Sequence, residues 1–232
     1  MKLLVSVRNV EEALLVAEGG ADFIDLKEPG AGALGGLPIA TIQTIVDALR
    51  REGKGLPVSA TIGDVPMHDI GRIATCVAAV GACVVDYVKV GIERVPQARA
   101  VLDMLARSGH AIVPVFIADK GLDASDLSYA CTLGFPGVMA DTADKHAGSL
   151  FDVLSMDELR RFVDTVRTAG AMVGLAGALR VEHQPLLHAL APDFAGFRTA
   201  VCVGDRSSAL DPWRLRELTT LMHAPALAEV AP

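Results

Sequence analysis

The chain has 232 residues and a net charge of −7, and 51% of its residues are hydrophobic but only 4% are aromatic. An acidic chain does not in general attract nucleic-acid backbones or anionic membranes, and so few aromatic rings do not form a platform for stacked bases. We therefore expect no nucleic-acid partner. Any phosphorylated ligand should be small and held by a local site.

Short runs rich in apolar and β-branched residues alternate with longer amphipathic stretches along the chain. The predicted strands are Leu3–Val7, Phe23–Lys27, Val58–Ile62, Tyr87–Ile92, Ala111–Ile117, Gly137–Ala140, Met172–Leu175 and Phe194–Arg198. The predicted helices, in the same order, are Val10–Glu18, Pro38–Arg51, Met67–Val80, Val95–Arg107, Ala124–Leu133, Met156–Thr168, Glu182–Leu190 and Pro212–Met222.

Strict alternation of strands and helices predicts a parallel sheet, and eight such units in this length predict a closed barrel. The predicted fold class is therefore α/β, a single (β/α)8 TIM barrel over residues 1–223, with a disordered tail at 224–232. The first apolar stretch is too short for a signal peptide, and the run Cys76–Val85 is too short to cross a membrane. We expect a cytoplasmic protein with reduced cysteines and no membrane partner.

Charged residues at the predicted strand ends indicate where chemistry takes place, since barrel active sites lie at the C-terminal ends of the strands. Asp25 and Lys27 share one face of the second strand, Lys89 interrupts the apolar fourth strand, and Asp141 follows the sixth. Repulsion between two partly buried ammonium groups should lower the pKa of at least one, which would give a nucleophilic amine. Alternatively, each lysine is only a salt-bridge partner at a strand end.

A phosphate site is predicted in the loops after the seventh and eighth strands, where barrels often bind phosphate on backbone N–H groups. The candidate residues are Gly177, Ala178, Arg198, Gly204, Asp205 and Arg206. Glycine allows a close backbone approach, and arginine offers a fork of donors. The alternative is that the glycines only form ordinary turns.

Residues 30–35 match the dinucleotide-binding pattern G-x-G-x-x-G, and Glu52 lies near the spacing of a ribose-binding acid. The context does not fit this function, because the motif follows the second strand and its helix starts late, after Pro38. We expect instead that the segment Gly30–Gly36 forms a flexible flap beside Lys27.

Four stretches of the chain resemble the (5-formylfuran-3-yl)methyl phosphate synthase family, which makes the furan of methanofuran. The first, Gly19–Pro29, runs on to Leu34-Gly35. The others are Asp86–Gly91, Met139–Lys145 and Gly196–Cys202, the last followed by Gly204-Asp205-Arg206. The resemblance covers nearly the whole chain and implies a lyase that condenses two glyceraldehyde 3-phosphates, with loss of one phosphate and two waters.

The resemblance also implies roles for individual residues. Lys27 would form a Schiff base with the substrate and Lys89 would transfer protons, while Asp25, Asp141 and Lys145 would line the catalytic site. We expect no metal or organic cofactor, because a protonated imine polarises the substrate and the histidines lack metal-ligand spacing. A homo-oligomer is expected from analogy with barrels of this size alone.

Three other functions remain open. The chain could be a different Schiff-base (class I) aldolase that joins a triose phosphate to another aldehyde. It could be a metal-free sugar-phosphate isomerase with Asp141 as its base, in which case Lys27→Arg should leave activity. It could also be a phosphate-binding regulator without turnover.

Overall fold

The computed structural model describes residues 1–32, 34–144 and 148–224, and its strands close into one parallel barrel in chain order. The strands are β1 Lys2–Val7, β2 Phe23–Leu26, β3 Val58–Thr61, β4 Tyr87–Ile92, β5 Ile112–Ile117, β6 Gly137–Asp141, β7 Met172–Leu175 and β8 Phe194–Phe197. Each strand pairs with its neighbours in the sequence, and β8 pairs with β1. The predicted (β/α)8 TIM barrel is confirmed. Among the described residues, no helix is both long and apolar enough to span a bilayer.

Helices follow the strands and cover the outside of the barrel. They are α1 Val10–Glu18, α2 Ile39–Arg51, α3 Ile70–Gly81, α4 Ala98–Ala106, α5 Ala124–Thr132, α6 Leu150–Val153, α7 Met156–Thr168, α8 Gln184–Leu190 and α9 Pro212–His223. Short 3-10 turns lie at Ala118–Lys120, Val181–His183 and Thr199–Val201. The predicted tail lies outside the described residues from 225 onward.

Two differences between the predicted and observed helices follow from side-chain hydrogen bonds at helix N-termini. Helix α3 begins at Ile70 rather than Met67, because the carboxylate of Asp69 accepts the backbone N–H of Arg72 at 3.0 Å. Helix α6 was not predicted. It has only four residues and depends on the hydrogen bonds of Ser149 with Asp152.

Two apolar layers hold the barrel together. The larger lies between the strands and the helices, and it contains Val88 and Val90, which therefore point outward as expected. The smaller fills the barrel interior, where the rings of Phe23 and Phe194 have centroids 5.3 Å apart. Because the strand register places Asp25 beside both Ser6 and Ser59, a polar layer forms above this apolar floor.

We predict that Gly174→Ala lowers the free energy of unfolding by about 1–3 kcal/mol, because a methyl group there overpacks the interior. A Cβ at this position would overlap the ring of Phe194 and lie 2.7 Å from Cγ of Met139. Urea unfolding measures the change. Gly71→Ala in α3 is the control, since its Cβ meets open space and should leave stability unchanged or raise it by up to about 1 kcal/mol. Equal stabilities of the two variants would contradict this account of the interior.

Candidate active site

A cavity of about 310 Å³ opens at the C-terminal ends of the strands. It brings together most of the residues predicted from sequence, namely Asp25, Lys27, Lys89, Asp141, Gly177, Ala178, Arg198, Asp205 and Arg206. Gly204 lies in the same loop as Asp205 but does not line the cavity, and Lys145 lies outside the described residues. The strand-end rule therefore selected residues that the fold brings together in one cavity.

Asp25 lies at the floor of the cavity and is fully buried. Its Oδ1 accepts hydrogen bonds from Nζ of Lys89 at 2.9 Å and Oγ of Ser59 at 2.7 Å. Its Oδ2 accepts a hydrogen bond from Oγ of Ser6 at 3.1 Å and lies 4.0 Å from Nζ of Lys27. Burial alone would raise the pKa of this carboxyl, but the charges of Lys89 and Lys27 and the Ser59 hydrogen bond outweigh burial and lower it. Asp25 is therefore an anion that both lysines share.

Lys89 is the more deeply buried of the two lysines, with 2% of its surface exposed. Burial lowers its pKa, and the neighbouring charge of Lys27 lowers it further, while the attraction of Asp25 acts in the opposite direction. The net direction is downward, as predicted for at least one of the paired amines.

Lys27 follows β2 directly and is 7% exposed, so its amine lies nearer to the open part of the cavity than that of Lys89. Its Nζ lies 3.7 Å from Oδ2 of Asp141, which ends β6. Both lysines are therefore ion-paired, as the salt-bridge alternative expects. The pairs differ from ordinary strand-end salt bridges because they converge on shared carboxylates inside one cavity.

The loop after β6 is held by a second carboxylate. Asp119 accepts the backbone N–H groups of Ala143 and Asp144, each at 2.7 Å. The backbone N–H of Thr142 donates to Oδ1 of Asp141 at 2.7 Å, which orients that carboxylate beside Lys27. Asp119 therefore fixes the chain immediately after a residue of the site.

Arg198 lines the cavity, but its guanidinium is fully engaged by the protein. It donates to both carboxylate oxygens of Glu12, at 2.6 and 3.0 Å, and to three backbone carbonyls, those of Ser6, Arg206 and Ser208. These bonds account for the five N–H donors of an arginine. The geometry therefore leaves Arg198 no donor for the phosphate that sequence analysis expected it to bind. Its contacts instead tie the loop after β8 to β1 and α1.

Arg206 reaches across the mouth of the barrel from the loop after β8. Its Nη2 donates to the carbonyl oxygen of Gly32 at 3.2 Å, so the two loops meet above the cavity. Burial lowers the pKa of Arg206, and Asp141 opposes that change. Leu34, in the same Gly-rich segment, is 2% exposed and packs against the interior layer. The segment thus lies at the mouth beside Lys27, where the flap was expected.

Sequence reasoning missed four residues at or around this site. The hydroxyl groups of Ser6 and Ser59 donate hydrogen bonds to Asp25. In the sequence, the one indication of this role is a hydroxyl residue within an apolar strand. Nothing in the sequence near Glu12 indicates its ion pair, because its partner Arg198 is 186 residues away. Arg180 lines the cavity from the loop after β7 and was not among the predicted phosphate-binding residues.

Comparison with known proteins gives consistent matches. A family model described as 4-HFC-P synthase matches residues 3–219. A (5-formylfuran-3-yl)methyl phosphate synthase from Archaeoglobus fulgidus is 36% identical over 239 residues, covering 96% of this chain and 100% of the relative. A synthase of the same name from Methanocaldococcus jannaschii is 36% identical, covering 95% and 99%. Phosphoribosyl anthranilate isomerase from Thermus thermophilus matches with a TM-score of 0.65 at 16% identity, covering 96% of this chain and 98% of that chain, which shows the fold alone.

We predict that Lys89→Met raises the pKa of Asp25, because the variant removes the nearest cation and a hydrogen-bond donor from a fully buried carboxylate. Carbon NMR of labelled aspartate carboxyl groups, followed over pH, measures the change. The control is Lys54→Met, which removes only a partly exposed lysine paired with Glu18 and should leave Asp25 unaffected. An unchanged Asp25 titration in Lys89→Met would show that Lys89 does not stabilise the anion.

Proposed function

Because the chain belongs to the 4-HFC-P synthase family, a family of enzymes in methanofuran biosynthesis, we propose that it condenses two molecules of glyceraldehyde 3-phosphate through an imine on Lys27. The product would be (5-formylfuran-3-yl)methyl phosphate, with release of one phosphate and two waters. The observation that carries this proposal is the convergence of two lysine amines on the buried carboxylate of Asp25, within 2.9 and 4.0 Å.

Lys27 is the nucleophile in this proposal, because its amine lies on the open side of the pair. Its Nζ attacks the aldehyde carbon, and loss of water gives a protonated imine that withdraws electrons from the neighbouring carbon. Asp25 and Asp141, at 4.0 and 3.7 Å from Nζ, stabilise the positive charge of the imine. Their oxygens also lie within reach of the water that must leave and later return.

Lys89 is the proton carrier in this proposal. Its lowered pKa favours the neutral amine, which can remove the proton next to the imine and give an enamine. Departure of phosphate from the following carbon is then an elimination, in which the enamine electrons expel the leaving group. The lowered pKa of Asp25 favours its anion, which lies 2.9 Å from Nζ of Lys89 and so favours the return of the proton to that amine.

The phosphate groups are proposed to bind at the loops after β7 and β8. Gly177 and Ala178 both have positive φ values, 114° and 46°, which turn the backbone at the cavity wall. In the second loop, the carboxylate of Asp205 is occupied by the backbone N–H and Oγ of Ser207, at 2.9 and 2.7 Å. Asp205 therefore contributes its backbone N–H group, and Arg206 contributes the positive charge. A role for Gly204, which does not line the cavity, remains a prediction. Lys145 and a homo-oligomeric state remain predictions.

We predict that sodium borohydride, added with glyceraldehyde 3-phosphate, traps a covalent adduct on Lys27, because reduction makes an imine permanent. Peptide mass analysis locates the adduct. Lys27→Arg keeps the charge but cannot form the imine, so it should lose the adduct and lower activity by more than about a thousandfold. Lys120→Arg, at an exposed lysine outside the cavity, should keep both. An adduct on another lysine, or none, would overturn the assignment of Lys27.

Glyceraldehyde 3-phosphate supplied as the sole substrate separates the proposal from a class I aldolase of the same geometry. We expect furan absorbance and free phosphate to appear together in equal amounts, since each condensation releases one phosphate. A retained Lys27 adduct without phosphate release would favour the aldolase. Turnover by Lys27→Arg would favour the metal-free isomerase with Asp141 as base.

A further inference from the structure

Arg180 lines the cavity from the loop between β7 and the 3-10 turn at Val181–His183, and the reaction as described above gives it no role. It lies close to the predicted phosphate loop, two residues after Ala178. The residue is exposed to solvent and lines the cavity, so a ligand there can reach it.

The cations around the cavity divide into two groups. Lys27 and Lys89 pair with Asp25 and Asp141, and Arg198 pairs with Glu12.

Within residues 1–32, 34–144 and 148–224, neither Arg180 nor Arg206 has a carboxylate oxygen within 4.0 Å of its guanidinium. These two arginines follow different strands, β7 and β8. Guanidinium groups on two separate loops, neither of them in an ion pair this short, suit a reaction that brings two phosphate dianions into one cavity.

Within the part of the chain that the structure describes, the guanidinium of Arg180 has one polar contact at hydrogen-bond distance, with the ring of His183. The backbone N–H of Arg180 donates to Nδ1 of His183 at 3.1 Å, so a neutral His183 carries its proton on Nε2. Nη2 of Arg180 lies 3.2 Å from that Nε2, which places two donors face to face. Burial lowers the pKa of His183, and the charge of Arg180 lowers it further, which favours the neutral ring. An anionic oxygen seated between the two groups would accept from both.

The backbone just before Arg180 has positive φ angles, which are unfavourable for residues that carry a side chain. Ala178 has φ 46°, a left-handed conformation that is unfavourable for alanine. Gly177 has φ 114°, and a Cβ at this position would lie 3.0 Å from the side chain of Thr142, which is too close for an unstrained contact. Strained backbone of this kind is concentrated at ligand sites, where it aims N–H groups.

From these observations the geometry points to two separate phosphate subsites in the cavity. Arg180, with the backbone of Gly177 and Ala178 and the Nε2–H of His183, binds the phosphate of one triose phosphate. Arg206, with the loop after β8, binds the phosphate of the other. This inference rests on the proposed function, since that reaction requires two phosphorylated substrates at once.

Calorimetric titration with glycerol 3-phosphate tests the inference, because this compound carries the phosphate group but has no carbonyl and cannot form an imine. The full chain should bind two molecules. Arg180→Gln should weaken one site by about 10- to 100-fold, the loss expected for hydrogen bonds to a charged group, and leave the other within about twofold. Arg206→Gln should weaken the other site instead. Arg180→Lys should recover part of the lost affinity, because it restores the charge without the fork.

Arg51→Gln, an exposed arginine in α2 away from the cavity, is the matched control and should bind two molecules as the unmodified chain does. Thermal unfolding of each variant excludes a folding defect as the cause. Two unchanged sites in Arg180→Gln would overturn the subsite assigned to Arg180 and leave the Lys27 chemistry untouched. A single site in the unmodified chain would overturn the two-subsite arrangement. No binding by the unmodified chain would overturn both subsites, while adduct formation on Lys27 would still report separately on the proposed reaction.

Discussion

One buried carboxylate determines how the active site is built. Asp25 has no contact with solvent, and an isolated charge in such a place would be very unfavourable. Two lysines and two serine hydroxyls surround it, so the anion is stabilised and the two amines are held close together. A buried pair of this kind adds little to stability relative to apolar packing. Its value lies in holding two amines close together, one of which, Lys89, has a pKa lowered by burial and by the charge of Lys27.

A second buried ion pair, between Glu12 and Arg198, organises the rim rather than the floor. The bidentate contact joins the start of α1 to the end of β8, and the remaining donors of Arg198 hold the carbonyls of Arg206 and Ser208. The loop that carries Arg206 is therefore anchored to β1 and α1 at the closure of the barrel. This arrangement explains how an arginine at the cavity wall can matter for the site without contacting a ligand.

The sequence was sufficient to predict the features that depend on local pattern. The alternation of apolar residues predicted that Lys89 points into the barrel. The position of Asp25, Lys27 and Asp141 at strand ends predicted that they lie close together, and all four residues line one cavity. Features that depend on pairing between distant segments could not be predicted in this way. The serine donors to Asp25 depend on the register of three strands, and the engagement of Arg198 depends on a partner 186 residues away.

The burial of Leu34 has a consequence for the position of the Gly-rich segment at the barrel mouth. This side chain is almost completely enclosed by the interior layer, although it belongs to a segment at the mouth. Exposing one leucine to water costs about 1.5–3 kcal/mol, which corresponds to roughly a ten- to hundredfold preference for the seated arrangement. The segment therefore favours the position in which Leu34 is buried. Because that preference is hydrophobic in origin, ionic strength should hardly alter it, whereas cooling should weaken it.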